Sequence, residues 1–446
     1  MLKASMCRVV ILVLLIISPL SQAADDVLSQ AAALIKNQDY KAAYNLLEPL
    51  EGERSGTVDY DFLLGVAGVE SGNTTRGIFA LERVLALQPN NLEARAIIGK
   101  AYYQAGETEN AKAEFKNVQQ QDTRKEFSKV IEGNLQAIDK ATGEKSVFGA
   151  YLDYGMGHDS NINSATSNSI ITVPGLVGNV FSPTGQIALT KDSREQSSNF
   201  MSVAGGISFR TPVLKKGLAL FGSVGSNNRF TWANDQFDTS SVDANIGLSY
   251  KKFIDTFSVA LQNSSFTVGS DRFRTSNGVN AQWLRDIDDK NQVSIFGNYS
   301  HLEYPDNSIR DANRAIIGAG WGHAFSGDKA PVIFLNGYTG KENADASNLD
   351  NDIYGLRASG QLALNYKWVG YAGAGYEKRR YDGPIGGFTS DRRDDQYDVT
   401  VGLRYIPIRD WTIKPQLSYI TNDSNTSLLD FDRTILSVNV RKDFNW

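Results

Sequence analysis

The stretch from Tyr397 to Tyr405, YDVTVGLRY, alternates apolar and polar residues without interruption. Because successive side chains of a β-strand point to opposite faces, this period of two predicts a strand with one apolar and one polar face. Residues 242–250 and 354–366 repeat the pattern. A soluble sandwich and a transmembrane barrel both produce such alternation, so the pattern alone does not separate them.

Three further features favour an antiparallel transmembrane β-barrel of about 14 strands over residues 146–446. Strand-like runs separated by turn residues begin near positions 147, 198, 217, 240, 255, 274, 292, 312, 331, 352, 368, 395, 411 and 429, an even number that returns both ends to one side of the membrane. Short polar turns such as residues 407–410 alternate with longer connections such as residues 304–310. All six tryptophans fall in this region, several at strand ends, where the aromatic girdles of such barrels lie.

The chain ends in a strand whose apolar face carries Leu436, Val438, Val440, Phe444 and Trp446. A terminal strand that ends in an aromatic residue resembles the assembly signal that outer-membrane proteins present to the bacterial barrel-insertion machinery. We expect Phe444 and Trp446 to carry that signal here.

The second faces of the strands are polar, which predicts a water-filled or loop-closed lumen rather than a packed core. The residues expected to line it carry both signs of charge: Asp153, Asp243, Arg357, Asp398, Arg404, Lys414 and Arg441. Such a mixture argues against simple anion or cation selectivity. The connection from Asp159 to Glu195 is long enough to fold inward as a plug or to reach a surface partner.

Residues 1–23 predict a cleavable export signal. Lys3 and Arg8 precede the apolar run Val9–Ile17, and small residues around Ala23 offer a cleavage site. An uncleaved anchor is the alternative, but the run is too short to span ~30 Å of hydrocarbon. The single cysteine, Cys7, lies within this segment, so we expect no disulfide in the exported chain.

Residues 24–145 carry apolar residues at helical spacing, and the pattern repeats every 34 residues. Leu64 recurs as Ile98, Leu81 recurs as Phe115, and Leu47 stands one period before Leu81 in a degenerate copy. This period resembles the tetratricopeptide repeat, whose helix pairs stack into an α-solenoid. An amphipathic helix near residues 127–138 would cap the stack. The fold class is therefore α + β in two domains, a solenoid followed by the barrel.

A repeat stack of this kind binds a partner along its concave side. If the resemblance holds, the inner helices present these residues to a client: Asp59, Phe62, Val66, Val69, Glu93, Ala96, Lys100 and Tyr103. The alternative is that Phe62 and Val66 pack on neighbouring helices and that the domain is only a spacer.

Composition excludes several functions. The chain has 45 Lys and Arg against 50 Asp and Glu and a net charge of −5, so it lacks the basic excess that nucleic-acid binding requires. None of the three histidines pairs with a second histidine or a cysteine at metal-ligand spacing, so we expect no metal and no cofactor. A mean hydropathy of −0.30 is compatible with a barrel, whose apolar residues occupy alternate positions.

The stretch His158-Asp-Ser160-Asn is similar to the His-x-Ser-Asn element of outer-membrane phospholipase A, whose serine is activated by a histidine. No Gly-Arg pair follows it, and Thr172 stands where that family's orienting Asn is expected. We therefore expect the protein not to be an enzyme and keep a hydrolase as the less favoured alternative.

Export signal, short repeat domain and carboxy-terminal barrel together resemble the surface lipoprotein assembly modulators, also described as type XI secretion outer-membrane proteins. Residues 157–163, GHDSNIN, also resemble a Gly-x-Asp-Ser-Asn-x-Asn element of those barrels. The resemblance implies an outer-membrane protein of a Gram-negative bacterium, with its repeats in the periplasm and its barrel in outer-membrane lipid. It implies passage or surface display of client lipoproteins or small secreted proteins, with the repeats engaging client or chaperone. Exopolysaccharide export porins also join such repeats to a barrel and remain the alternative, although they usually carry many more repeats.

Overall fold

The computed structural model describes residues 26–105, 107–121, 125–142, 145–179, 182–214, 217–327 and 329–445. The predicted export signal and Trp446 lie outside these residues. The chain divides into two compact units, one that reaches Lys145 and one that begins at Ser146. Among the described residues, no helix is long and apolar enough to cross a membrane.

The first unit is helical. Its α-helices are α1 (Asp26–Lys36), α2 (Tyr40–Leu47), α3 (Glu51–Arg54), α4 (Val58–Ser71), α5 (Thr74–Leu87), α6 (Leu92–Gln104), α7 (Thr108–Gln121) and α8 (Lys125–Thr142). Helix α1 packs on α2, α4 on α5, and α6 on α7, while α8 packs on α7. The predicted tetratricopeptide-like stack and its capping helix are both present.

The residues that recur at the 34-residue interval form the core of this unit. Leu47 and Leu81 are fully buried, and Leu64, Ile98 and Phe115 are no more than 2% exposed. Close helix contact also depends on Gly77 in α5. A Cβ atom at Gly77 would lie 2.7 Å from the backbone nitrogen of Val69, so any larger residue would push α5 away from α4.

The second unit is a closed antiparallel barrel of fourteen strands, which confirms the predicted number. The strands are β1 (Val147–Asp159), β4 (Ser198–Leu214), β5 (Leu218–Thr231), β6 (Thr239–Lys252), β7 (Asp255–Val268), β8 (Asp271–Asp286), β9 (Asn291–Glu303), β10 (Ala312–Ala324), β11 (Val332–Ala344), β12 (Asn351–Ala363), β13 (Trp368–Tyr381), β14 (Arg393–Tyr405), β15 (Trp411–Ser424) and β16 (Phe431–Asn445). Strand β1 pairs with both β4 and β16 and so closes the barrel. Strands β2 (Ile170–Asn179) and β3 (Ser182–Ala188) form a separate hairpin that the sequence pattern did not predict.

The two faces of each strand differ as the alternation predicts. In β14 the apolar Val399 and Val401 are 46% and 45% exposed, whereas Asp398 lies on the other face. Arg357 of β12 contacts Asp398 of β14 across the intervening strand, which places both side chains on the concave, inner face. The outer face is therefore apolar and the inner face polar.

Aromatic side chains on the outer face form two belts. Trp283, Trp321, Trp368 and Trp411 lie near one end of the barrel, and Tyr299, Tyr354, Tyr376, Tyr397 and Tyr419 lie nearer the other. Eight residues separate Trp368 from Tyr376, which is about 26 Å along a strand. At a tilt of about 40° the belts are ~20 Å apart in height, close to the apolar band of outer-membrane barrels.

The two ends of the barrel have different connections. The end that holds the start of β1 and the close of β16 has short connections, such as residues 253–254 and 364–367, and we call it the turn end. The opposite end, the loop end, carries residues 160–197, which we call the first loop and which contain the β2–β3 hairpin.

Candidate functional site

The residues predicted to line a groove in the helical unit fall into two groups. Val66 and Val69 are 3% and 1% exposed, and Ala96 is 1% exposed, so these three belong to the hydrophobic core. The prediction that they contact a client is wrong, because α4 packs on α1, α2, α5 and α6 and has buried residues around its whole circumference. Phe62 is half-buried and packs against the same core.

The remaining groove residues reach the surface. Asp59 is exposed, and Glu93, Lys100 and Tyr103 are half-buried. The Lys100 ammonium forms an ion pair with Glu70 of the preceding repeat. The candidate groove is therefore Asp59, Phe62, Glu93, Lys100 and Tyr103, a mixed apolar and charged surface suited to a polypeptide rather than to an apolar ligand.

A buried charge cluster, which the sequence reasoning missed, fixes the geometry of this groove. The Asp61 carboxylate is fully buried and accepts hydrogen bonds from Arg83 Nε at 2.9 Å and from Gly56 N at 2.8 Å. The adjacent Tyr60 hydroxyl donates to the carbonyl of Leu47 at 2.7 Å. Burial, with nearby carboxylates including that of Asp61, raises the pKa of Tyr60 to about 12. These contacts join α2, α4 and α5.

In the barrel, all seven residues predicted to line the lumen lie on the inner face, and most are engaged by a neighbour. Asp153 of β1 accepts from Asn439 Nδ2 at 2.8 Å and lies 3.3 Å from Lys414 Nζ. Arg441 lies 2.7 Å from Asp443 and stacks over the Tyr151 ring. Both clusters lie nearer the turn end.

The other predicted lumen residues also have partners. Arg357 and Asp398 lie 3.3 Å apart, Asp243 accepts a hydrogen bond from Ser264 at 2.6 Å, and the Arg404 guanidinium lies 5.9 Å from the Tyr371 ring centroid. Cross-strand pairing therefore neutralises much of the lumen charge.

A second lumen cluster, closer to the loop end, was not predicted. Glu377 accepts hydrogen bonds from Tyr338 at 2.6 Å and from Arg379 at 2.8 Å. Glu342 lies 3.7 Å from Arg379 and 3.9 Å from Arg314. Tyr338 and Glu342 stand two turns of the alternation apart on the inner face of β11, which is the sequence signal that would have identified this cluster.

The base of the first loop is held by Asp159, the last residue of β1. Its carboxylate is fully buried, accepts from Arg433 Nη2 at 2.7 Å, and forms an ion pair with Arg229. It also accepts from the Asn161 backbone nitrogen at 2.9 Å, while Arg433 Nη1 donates to Ser164 Oγ at 3.0 Å. Asp159 therefore links β1, β5 and β16 to the first loop. It lies within the GHDSNIN element, so its position was marked in the sequence but its partners were not.

The first loop also contacts a second connection of the loop end. The Gly175 amide of β2 donates to the Gly387 carbonyl at 2.8 Å, and Val173, 5% exposed, packs beside Gly387. Gly387 belongs to the connection between β13 and β14. The hairpin thus reaches from the end of β1 to a loop that lies three strands away around the wall.

The phospholipase-like residues do not form a catalytic pair. His158 Nδ1 lies 2.9 Å from Asn199 Oδ1, and Ser160 Oγ accepts the backbone N–H of Thr434 at 2.8 Å. In the described part of the chain, no hydrogen bond joins His158 to Ser160. The same residues contain no group of three or more His, Cys, Asp or Glu placed to hold a metal ion.

Comparison with solved structures gives distant likenesses. A type III secretion translocator chaperone of Yersinia enterocolitica, SycD, is 16% identical, and the match covers 28% of this chain and 88% of that one with a TM-score of 0.25. OmpT, an outer membrane protein of Vibrio cholerae, is 11% identical over 67% of this chain and 97% of its own, with a TM-score of 0.39. A FadL homologue of Pseudomonas aeruginosa is 11% identical over 68% and 91%, with a TM-score of 0.33. No curated protein matches the chain.

Family models give a direct assignment. A tetratricopeptide-repeat model matches residues 69–130. A model described as surface lipoprotein assembly modifier matches residues 149–444, which is more than half of the chain and includes nearly all of the barrel. The closed barrel with its apolar outer face and aromatic belts agrees with an outer-membrane location. The chain therefore belongs to the surface lipoprotein assembly modifier family of outer-membrane proteins.

Proposed function

We propose that this protein assists specific client proteins, lipoproteins or small secreted proteins, to cross the outer membrane or to be displayed at the cell surface. The observation that carries the proposal is the union, in one chain, of a family-matched barrel with a polar, ion-paired lumen and a repeat unit with a mixed, half-exposed surface. The family is described by lipoprotein assembly and not by catalysis.

The orientation follows from the connections. Outer-membrane barrels have short periplasmic turns and longer extracellular loops, so the turn end belongs to the periplasm. The chain enters the barrel at this end through Ser146, which puts the helical unit in the periplasm and residues 1–23 in the role of export signal. The first loop is then at the cell surface.

The helical unit would collect the client. Asp59, Phe62, Glu93, Lys100 and Tyr103 combine aromatic surface with both signs of charge, a composition typical of surfaces that bind polypeptides. Handover to the barrel would lead the client past the ion-paired inner wall towards the first loop, which must move from its contact with Gly387 to open the loop end fully.

Assembly in the membrane would depend on β16. Its outer face presents Leu436, Val438 and Phe444 to outer-membrane lipid, and Lys442 on that face lies 5.5 Å from the Trp411 ring and 3.9 Å from Asp410, at the membrane edge. Phe444, with Trp446, is the proposed signal to the barrel-insertion machinery.

Client display tests the proposal. The gene is deleted in its host, and tagged proteins encoded by neighbouring genes are measured on intact cells by flow cytometry and in lysates by immunoblot. We expect the deletion to abolish surface display of a client at unchanged total amount, and the full chain to restore it. Normal display together with lost extracellular polysaccharide would refute the proposal and support a polysaccharide export porin.

Groove variants refine the same test. Phe62→Ala and Tyr103→Ala should lower surface display severalfold while the barrel remains assembled. The matched control is Phe79→Ala, because Phe79 in α5 is 56% exposed and outside the proposed groove. Equal display by all three variants would exclude the groove and leave the helical unit as a spacer.

A hydrolase function has its own measurement. Fatty-acid release from phospholipid by the purified protein, abolished by Ser160→Ala, would establish it. The bond from Thr434 N to Ser160 Oγ and the separate partner of His158 argue against that outcome.

A further inference from the structure

Two inner-face arginines near the loop end lie close together on the barrel wall. Arg314 of β10 stands opposite Ser300 of β9 on one side and opposite Glu342 of β11 on the other. Arg274 of β8 is near enough to Arg314 for their guanidinium groups to repel each other, as is Arg379. The wall thus gathers positive charge at one level of the lumen.

The donors of this cluster lack acceptors. Arg314 Nε is buried without a hydrogen-bond partner, and so is the hydroxyl of Ser300, a residue that is fully buried. The contact of Arg314 with Glu342 is an ion pair at 3.9 Å, beyond hydrogen-bond distance. Within the described residues, Arg274 has neither a hydrogen bond nor an ion pair. Buried donors without acceptors are unfavourable, and a ligand with acceptor oxygens would satisfy them.

The neighbouring carboxylates do not cancel this charge. Glu377 is engaged by Arg379 and Tyr338, and Glu342 is shared between Arg379 and Arg314 at distances near 4 Å. Three arginines against two glutamates leave one net positive charge on this part of the wall. The excess lies on Arg274 and Arg314, the two guanidinium groups without a hydrogen bond in the described structure.

We propose that Arg274, Arg314 and Ser300 form a carboxylate-binding site in the lumen, which takes the acidic side chains of a polypeptide in transit; this rests on the proposed function. Planar guanidinium groups match a carboxylate through paired N–H donors. The site lies on the inner face, away from the lipid-facing surface, which favours a polypeptide over a lipid headgroup. Buried Leu302, Tyr304 and Ala312 lie beside it and offer apolar contact to the same segment.

A peptide-binding experiment tests the site on the full-length protein in detergent. The probe is a fluorescein-labelled hexaglutamate peptide, and binding is followed by fluorescence anisotropy at low ionic strength. We expect Arg274→Gln and Arg314→Gln each to weaken binding about tenfold, and added salt to weaken binding to the unaltered chain. The control is Arg380→Gln, because Arg380 follows Arg379 in sequence but points to the outer face, and it should bind as the unaltered chain does.

Arg274→Gln removes a side chain with no partner in the described structure, so it should fold even if Arg314→Gln does not; heat-modifiable mobility on gels checks folding. Equal affinity of Arg274→Gln and the unaltered chain would overturn the site, as would tighter binding of glycerol phosphate than of hexaglutamate, which would assign it to a headgroup. The result is independent of client display. Absent peptide binding refutes the site whatever the cells show, and normal display in the deletion strain refutes the proposed function whatever the peptide does.

Discussion

Replacement of Asp159 by asparagine tests whether one buried carboxylate holds the first loop closed. Asp159 is fully buried and is bound by Arg229, by Arg433 and by the Asn161 backbone nitrogen. Asparagine has nearly the same shape and keeps one acceptor oxygen, but it removes the charge. Two guanidinium groups then face each other without a counter-ion at the base of the loop.

The size of the effect follows from burial. Loss of one partner from a buried ion pair destabilises a structure by about 3–5 kcal/mol. Because the side chains of Arg229 and Arg433 are each 18% exposed, we take the lower limit, about 3 kcal/mol. At about 1.4 kcal/mol per factor of ten, the open state of the first loop becomes about 100-fold more populated. The barrel ladder itself does not include these side chains and should persist.

The assay is thiol labelling of a buried position within the first loop. Thr166 is 1% exposed, so a cysteine placed there by Thr166→Cys reacts with a maleimide only when the loop opens. The natural chain contains a single cysteine, Cys7, within the predicted export signal, which keeps the background low. We expect Asp159→Asn to raise the labelling rate about 100-fold in outer-membrane preparations.

The matched control is Asp192→Asn, which removes one negative charge from an exposed position of the same loop. It should leave the labelling rate unchanged. If Asp159→Asn labels within twofold of the unaltered chain, the carboxylate does not hold the loop, and the contact of the hairpin with Gly387 must do so.

Three further measurements address the helical unit and the membrane signal. Gly77→Ala should destabilise the helical unit by about 1–3 kcal/mol, seen as earlier loss of helical circular dichroism on heating, while Gly52→Ala, where nothing lies within 4 Å of the added methyl group, should be nearly neutral. Tyr60→Phe should cost about 1 kcal/mol at neutral pH. Because the folded pKa of Tyr60 is raised to about 12 from 10.0, the stabilisation is complete below pH 10 and is lost as the pH rises towards 12; the alkaline slope of unfolding should therefore be shallower in the variant. Phe444→Ala should lower the amount of heat-modifiable barrel in the membrane more than Val438→Ala on the same face of β16, and an equal loss would remove the special role of the terminal aromatic.

The strands were predictable because their signal is local. A period of two in the sequence determines which side chains share a face, so the seven lumen residues lie on the inner face and the observed strand starts lie within three residues of the expected ones, as at β8, expected near 274 and observed at 271. The 34-residue repeat is local in the same sense, since each helix pair buries the same small and large residues.

The failures arose where packing between distant segments decides the outcome. Val66 and Val69 occupy the positions at which inner repeat helices contact ligands, but α4 is covered by α1 and α2 as well as by α5, and that cover buries them. The β2–β3 hairpin was missed because two strands alone are marginal in water and need outside support. That support comes from buried Ile171 and Val173 and from the bond to Gly387, more than 200 residues later in the chain.

Register determines which of the lumen charges are available to a client, and this has a consequence for passage. Alternation predicts that Lys414 and Arg441 face the lumen, but the closure of β1 onto β16 supplies their neighbours: it brings Asp153 and Tyr151 beside them. A wall of such pairs exerts a weak net field, so a polypeptide of either charge can pass without being trapped. Selectivity must then come from cations whose register gives them no acceptor. In the described wall Arg274 and Arg314 meet that condition, and their substitution should therefore change which clients pass more than it changes whether the barrel forms.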